Sequence, residues 1–324
     1  MNLAVEKSLK KSENIYFPFY MRTIIGYLRQ YIYEVNKLVL LFTGLLTAVS
    51  IYLNYHYYLD GYITSRPSFS ESFILRYFVF LIAFSIPYCL VCLVSGKKYF
   101  TNWKFILLLF IAPAVFSFKS EVPFSFHFTD DYDWNYYWYY IIYWPLLVVI
   151  SSTFLFLIWK IFHSKENFYG LKTKGIDWKP YWLMLLIMVP LIAAASTQHD
   201  FLNVYPKMKL IAGVYDLKSL SFWHKLLFEL SYGSDFITIE LFFRGFLILG
   251  FIKWVGKDAI LPMAFFYCTI HFGKPLGECI SSFFGGIVLG VVVYNTRSIL
   301  GGLIVHLGIA WLMELGGHIG NSFR

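Results

Sequence analysis

Residues 235–251 read DFITIELFFRGFLILGF, an apolar run long enough to cross most of a bilayer that nevertheless holds a carboxylate, Glu240, and a guanidinium, Arg244. An ionised side chain in hydrocarbon is costly, so such residues face a bundle interior or a water-filled cavity and take a partner. Four residues apart on a helix, Glu240 and Arg244 share one face and can pair with each other. The pair is either a structural lock between helices or part of a functional site. Two later histidines in apolar segments, His271 and His306, favour the second reading, and all four residues can meet only if the last helices pack around one polar pocket.

The rest of the chain fits that environment. Hydrophobic residues make up 58% of the 324 and charged residues only 14%, with a mean hydropathy of +0.60. A soluble globule carries nearer a quarter charged residues, so the expected class is an all-α polytopic membrane bundle of about eight or nine transmembrane helices at roughly 20 residues each. No motif or basic stripe points to nucleic acid. Cys89 and Cys92 form a C-x-x-C inside an apolar span, while Cys268 and Cys279 stand apart. All four read as small core residues rather than a redox pair or a metal site.

In chain order, residues 1–37 form a basic segment in which 19–33 can lie as an interfacial amphipathic helix. Transmembrane helices are expected at about 38–58, 73–94, 105–118 and 137–162, giving an N-terminal membrane unit over 38–180. A second unit, 181–324, starts with a span at 181–195. A polar stretch follows at 196–230, read as a loop with one or two interfacial helices. Further spans are expected at 235–254, 259–272, 279–294 and 298–315. Gly286 and Gly290, and later Gly301, Gly302 and Gly308, are small residues that let helices approach closely. Lysines and arginines gather in the N-terminal tail, at Lys97, Lys98 and Lys104, and in the loop after residue 160. The positive-inside rule then places the N-terminus in the cytoplasm, with the cell membrane as the expected location. Lys207, Lys209, Lys218 and Lys225 run against this pattern.

Three short strings carry a family resemblance: Glu240-Leu-Phe-Phe-Arg244-Gly245, Tyr267-Cys-Thr-Ile-His271 and His306-Leu-Gly-Ile-Ala310. In order and spacing they resemble the CPBP family of CAAX prenyl proteases and bacteriocin-processing enzymes, also called the Abi family. Its motifs are E-E-x-x-x-R, F-x-x-x-H and H-x-x-x-N. The resemblance covers roughly residues 220–315. It implies an intramembrane endopeptidase in which a motif-one glutamate and the motif-two histidine activate water, while the motif-three histidine and asparagine hold the oxyanion. By position the expected site is Glu240, Arg244, His271 and His306.

The chain departs from that pattern at three places. Ile239 stands where the lead glutamate is usual, Ala310 where the asparagine is, and Tyr267 replaces phenylalanine, a mild change. Peptide hydrolysis needs a base for the water and donors for the oxyanion, so nearby carboxylates are candidate substitutes. Asp235 shares a helical face with Ile239, Glu314 shares one with Ala310, and Glu278 follows His271 in the chain. Each could bring an auxiliary carboxylate to the pocket, or simply be a solvated group at a helix end. The resemblance implies no cofactor and no metal. Were zinc present, Glu240, His271 and His306 would be its N/O ligands, although no H-E-x-x-H occurs.

The expected function is therefore a membrane endopeptidase acting on a hydrophobic or prenylated peptide, or on a membrane-protein segment, within the lipid bilayer. A catalytically impaired relative that binds hydrophobic peptides is one alternative. A transporter using Glu, Arg and His for proton coupling is another. A purely structural bundle gives no reason for two histidines at motif spacing.

Overall fold

Three of the long apolar helices begin beside a polar side chain that takes the free amide hydrogens of the first helical turn. The structure, a computed structural model, describes residues 19–173, 175–212 and 220–323. Lys7, Lys10 and Lys11 of the basic tail, together with Lys174 and Lys218, lie outside the described residues. Helix α1 (Phe19–Glu34) covers the amphipathic segment. Asn36 caps α2 (Lys37–Tyr57) by accepting from the amides of Leu38 and Val39. The short α3 (Leu59–Thr64) leads to α4 (Phe69–Ser95), which ends at Gly96 with φ +67°. That left-handed cap conformation suits glycine, which lacks a Cβ. Asn102 caps α5 (Trp103–Glu121) and Asp131 caps α6 (Tyr132–Phe162), each accepting from two amides.

The second half follows as α7 (Lys179–Ala195), the short α8 (His199–Val204) and α9 (Lys209–Ala212), then α10 (Phe222–Ile239). Helix α10 passes without a break into a π-helical segment, Glu240–Gly250. After the single turn α11 (Ile252–Val255) come α12 (Ile260–Thr269), α13 (Leu276–Thr296) and α14 (Leu300–Ser322). No strand occurs among the described residues.

Six helices, α2, α4, α5, α6, α13 and α14, are long and apolar enough to cross a membrane. The eight or nine apolar runs of the sequence resolve into these six and three others. Helix α7 has 17 residues, α12 has 10, and α10 carries Lys225, Glu229 and Asp235 before its π continuation. The helix that leads into Glu240 starts at Phe222 rather than near residue 235, because Ser221 accepts from the His224 amide and opens a turn there. Residues 222–230, expected as part of the polar loop, are helical. Pro113 does not shorten its helix, which runs on to Glu121. Prolines are tolerated in membrane helices where neighbours re-satisfy the backbone.

Helix α12 occupies the centre, with all ten of its residues buried and with α2, α4, α13 and the π segment packed around it. Gly286 of α13 makes this approach possible: a Cβ there would sit 3.3 Å from Ala264 of α12. Outside, Leu41, Leu45 and Val49 of α2 and Leu186 and Val189 of α7 are exposed, as a lipid-facing surface requires. The ends of α3, α4, α5 and α10 are tied by charge: Arg76 pairs with Asp60 and, at 2.6 Å, with Glu121. Lys119 pairs with Asp235 at 2.9 Å. Together these contacts fix the helix from which Glu240 projects.

Candidate active site

The π segment begins at Glu240, where hydrogen bonds lengthen from i→i+4 to i→i+5 and the helix widens. Such departures recur at functional sites. Glu240 and Arg244 are both fully buried and pair at 3.2 Å, Oε1 to Nη1. The same Oε1 lies 3.0 Å from Nδ1 of His306 on α14. One turn before His306, Gly302 leaves space for the carboxylate, since a Cβ on Gly302 would stand 2.8 Å from Glu240 Oε2. The Arg244 guanidinium lies over the ring of Tyr267 at 4.1 Å, a cation–π contact that adds to the ion pair. Phe236 packs on the His306 ring and Phe243 on the Tyr267 ring, so the polar groups sit among aromatic walls.

Tyr267 ties the two histidines together. Its hydroxyl is 3.0 Å from Nε2 of His306. Its ring stacks edge-on against His271 at 4.7 Å, and its carbonyl accepts from His271 Nδ1 at 2.9 Å. A carbonyl only accepts, so Nδ1 of His271 carries the hydrogen and Nε2 of the neutral ring is left as an acceptor. No hydrogen bond joins His271 to Glu240 or to His306; Tyr267 stands between them. The order is therefore Arg244, Glu240, His306, Tyr267, His271.

The three auxiliary carboxylates are committed elsewhere. Asp235 is held by Lys119. Glu314 accepts the Lys207 amide at 2.7 Å on each oxygen. Glu278 accepts from Tyr205 at 3.0 Å and from Lys274 at 3.2 Å, but it is also in electrostatic reach of His271. It is the one of the three that influences the motif histidines. Burial, with Lys274 nearby, pushes the Lys207 ammonium down to about 8. Burial acts on Lys274 in the same direction, but Glu278 overcomes it and holds that ammonium above its ordinary range.

Among the described residues, no group of three or more His, Cys, Asp or Glu side chains is arranged to hold a metal ion. Glu240, His271 and His306 are accordingly not assembled as a ligand set, because Tyr267 separates the two imidazoles. Ile239 is buried in the central apolar cluster. Ala310 is buried against Phe228, Tyr232 and the aromatic start of α6. A cavity of about 830 Å³ runs between α10 and α14, lined by Leu226, Leu230, Trp311 and Glu314 but not by Glu240, His271 or His306.

Tyr267 is the residue that sequence reasoning passed over. Its signal was the added hydroxyl at a position where the motif has phenylalanine. Which nitrogen that hydroxyl meets depends on the packing of α12 against α14.

Residues 226–312 match the family model described as Type II CAAX prenyl endopeptidase Rce1-like. The matched residues contain all three motif strings, and the match supports assignment to the CPBP/CAAX-protease family. The family so described is one of membrane proteases, which implies association with a lipid bilayer and a peptide substrate in general. With six apolar helices, the chain is an integral multi-pass membrane protein. No curated protein and no solved structure matches the chain.

Proposed function

We propose that this protein is an active intramembrane endopeptidase that hydrolyses a hydrophobic or prenylated peptide with water activated by Glu240 and the two motif histidines. The observation that carries the reading is the fully buried Glu240 bonded to His306 at 3.0 Å and backed by Arg244. A carboxylate that only accepts hydrogen bonds fixes the imidazole with its hydrogen on Nδ1 and stabilises the imidazolium that forms when Nε2 takes a proton. Arg244, 3.2 Å from the same carboxylate oxygen, holds Glu240 in place. His271, with Nδ1 committed to a carbonyl, keeps Nε2 to accept a hydrogen bond from the same water. Aromatic walls exclude bulk water and strengthen each of these interactions.

Metal is not required by this scheme, in which carboxylate and imidazoles handle the proton. The protein works in the cell membrane with its N-terminus in the cytoplasm, on the argument from loop lysines. The test is cleavage by purified protein in liposomes, against a panel of hydrophobic and prenylated peptides, with Glu240→Ala and His271→Ala as controls. Each control is expected to lose on the order of 10²-fold or more in rate. Cleavage unaffected by both would remove the site assignment.

A second reading has its own support. Ile239 and Ala310 are both apolar and buried, and Asp235 and Glu314 are held by other partners. A catalytically impaired relative that binds hydrophobic peptides would look like this. Peptide binding without cleavage, together with cleavage gained on Ile239→Glu, would favour it.

A further inference from the structure

We infer that Tyr267 is the group through which His306 reaches the reacting water, so that a Tyr267–His306–Glu240 proton relay stands in for the carboxylate missing at Ile239. The inference rests on the hydrolase reading above and concerns the same site. It starts from the two nitrogens of His306. Nδ1 is taken by Glu240 at 3.0 Å and Nε2 by the Tyr267 hydroxyl at 3.0 Å. No nitrogen of His306 is left to meet a substrate directly, so the ring can take part in chemistry only through one of these partners. Glu240 is fully buried and pinned by Arg244. Tyr267, 5% exposed, is the remaining partner.

The direction of the hydrogen bonds agrees. The Glu240 carboxylate accepts, so Nδ1 of the neutral imidazole donates and Nε2 accepts. Tyr267 therefore donates its hydroxyl hydrogen to Nε2, and its oxygen lone pairs are left to accept a proton from water. The second water-binding acceptor is close by, because His271 packs on the ring of the same tyrosine. Arg244 over that ring at 4.1 Å helps hold the tyrosine in this position.

The step balances. Water gives one proton to Tyr267 Oη as Tyr267 gives its own to His306 Nε2. The water oxygen bonds to the scissile carbonyl carbon, and the C=O π electrons move to the carbonyl oxygen. When the C–N bond breaks, the proton returns from His306 through Tyr267 to the leaving nitrogen. The imidazolium forms beside the carboxylate that Arg244 also contacts; the negative charge that balances it is on the former carbonyl oxygen until that oxygen re-forms the C=O bond and the C–N electron pair leaves on nitrogen.

The discriminating experiment compares wild type, Tyr267→Phe and the double variant Tyr267→Phe/Ile239→Glu in liposomes, with kcat and KM measured on a prenylated peptide. Tyr267→Phe removes one oxygen and restores the residue usual in the motif. It is expected to lower kcat by about 10²-fold or more with KM changed by less than about threefold. Adding Ile239→Glu supplies a direct base and is expected to recover at least about tenfold of the lost kcat. A folding defect would not be repaired by a carboxylate at residue 239, so recovery separates a relay from a structural role. Wild-type cleavage that survives Tyr267→Phe overturns the relay alone, as does a loss that Ile239→Glu leaves unchanged. A wild type that cleaves nothing overturns the hydrolase reading and the relay with it.

Discussion

Glu240 holds His306 through the same carboxylate oxygen that pairs with Arg244, at 3.0 Å and 3.2 Å. The residues lie 66 positions apart in sequence and come from different helices, so the contact depends on how α14 packs on the π segment. A buried charge pair adds little net stability, but removing one partner leaves the other buried and uncompensated. That asymmetry separates the effects of two substitutions. Glu240→Gln keeps the shape and a hydrogen-bonding group. It is expected to lower kcat by about 10²-fold or more while the protein stays folded. Both variants leave the Arg244 charge uncompensated, and Glu240→Ala, which also removes the hydrogen-bonding group and leaves a void, is expected to cost about 3–5 kcal/mol as well. Thermal unfolding in detergent beside the rate measurement checks both; equal melting temperatures for the two variants would contradict the pairing.

Gly302 makes the room for that carboxylate. A methyl group 2.8 Å from Glu240 Oε2 must push either the glutamate or α14 aside. Gly302→Ala is expected to destabilise by about 1–3 kcal/mol and to lower activity in parallel with Glu240→Gln. Gly277→Ala, where a Cβ would meet nothing within 4 Å, serves as the control and is expected to leave activity unchanged.

Asp235 serves architecture rather than chemistry. Its partner Lys119 joins α5 to α10, and no motif residue touches it. Asp235→Asn is expected to lower the melting temperature while kcat per folded molecule stays within about threefold of wild type, as for a site away from the reacting groups. A fall in kcat of the size seen for Glu240→Gln would place Asp235 in the reaction instead.

Lys207 sets a pH dependence of folding. Its ammonium titrates near 8 in the folded protein because burial and Lys274 disfavour its charge, against about 10.4 for an unfolded lysine. Between those two values the unfolded chain binds the proton and the folded one does not. The contribution of this group to stability therefore rises with pH through that window, by up to about 3 kcal/mol in total. Lys207→Met removes the proton uptake. The stability difference between variant and wild type is expected to be largest at neutral pH and to shrink steadily toward pH 10, read from thermal unfolding across the range. A difference that does not change with pH contradicts the assignment.

The membrane class and the main helices were legible because hydrocarbon demands long apolar runs with internally satisfied backbones, and residues such as Asn36 and Asp131 mark where they start. The beginning of α10 was not, since Lys225 and Glu229 read as loop until their packing against α6 and α14 is known. The π winding after Ile239 was hidden as well. An i→i+5 segment uses the same apolar residues as an i→i+4 one. Glu240, Arg244 and His306 could be grouped from spacing, but the role of Tyr267, whose hydroxyl meets His306 and whose carbonyl and ring meet His271, could not. Tyr267 looked like a minor replacement of phenylalanine. Glu314 shows the converse: a shared helical face with Ala310 suggested a pocket carboxylate, yet the side chain turns to the Lys207 amide. Face periodicity predicts direction around a helix and says nothing of which neighbour arrives there.

Single-turnover cleavage of a prenylated peptide by the purified protein in liposomes reads hydrolysis at the Glu240–His306–His271 site. Wild type is expected to form a cleavage product at a rate that falls by about 10²-fold or more with either Glu240→Gln or His271→Ala, while both variants remain folded. Cleavage by wild type that neither substitution slows, or no cleavage by wild type of any peptide it binds, would contradict it.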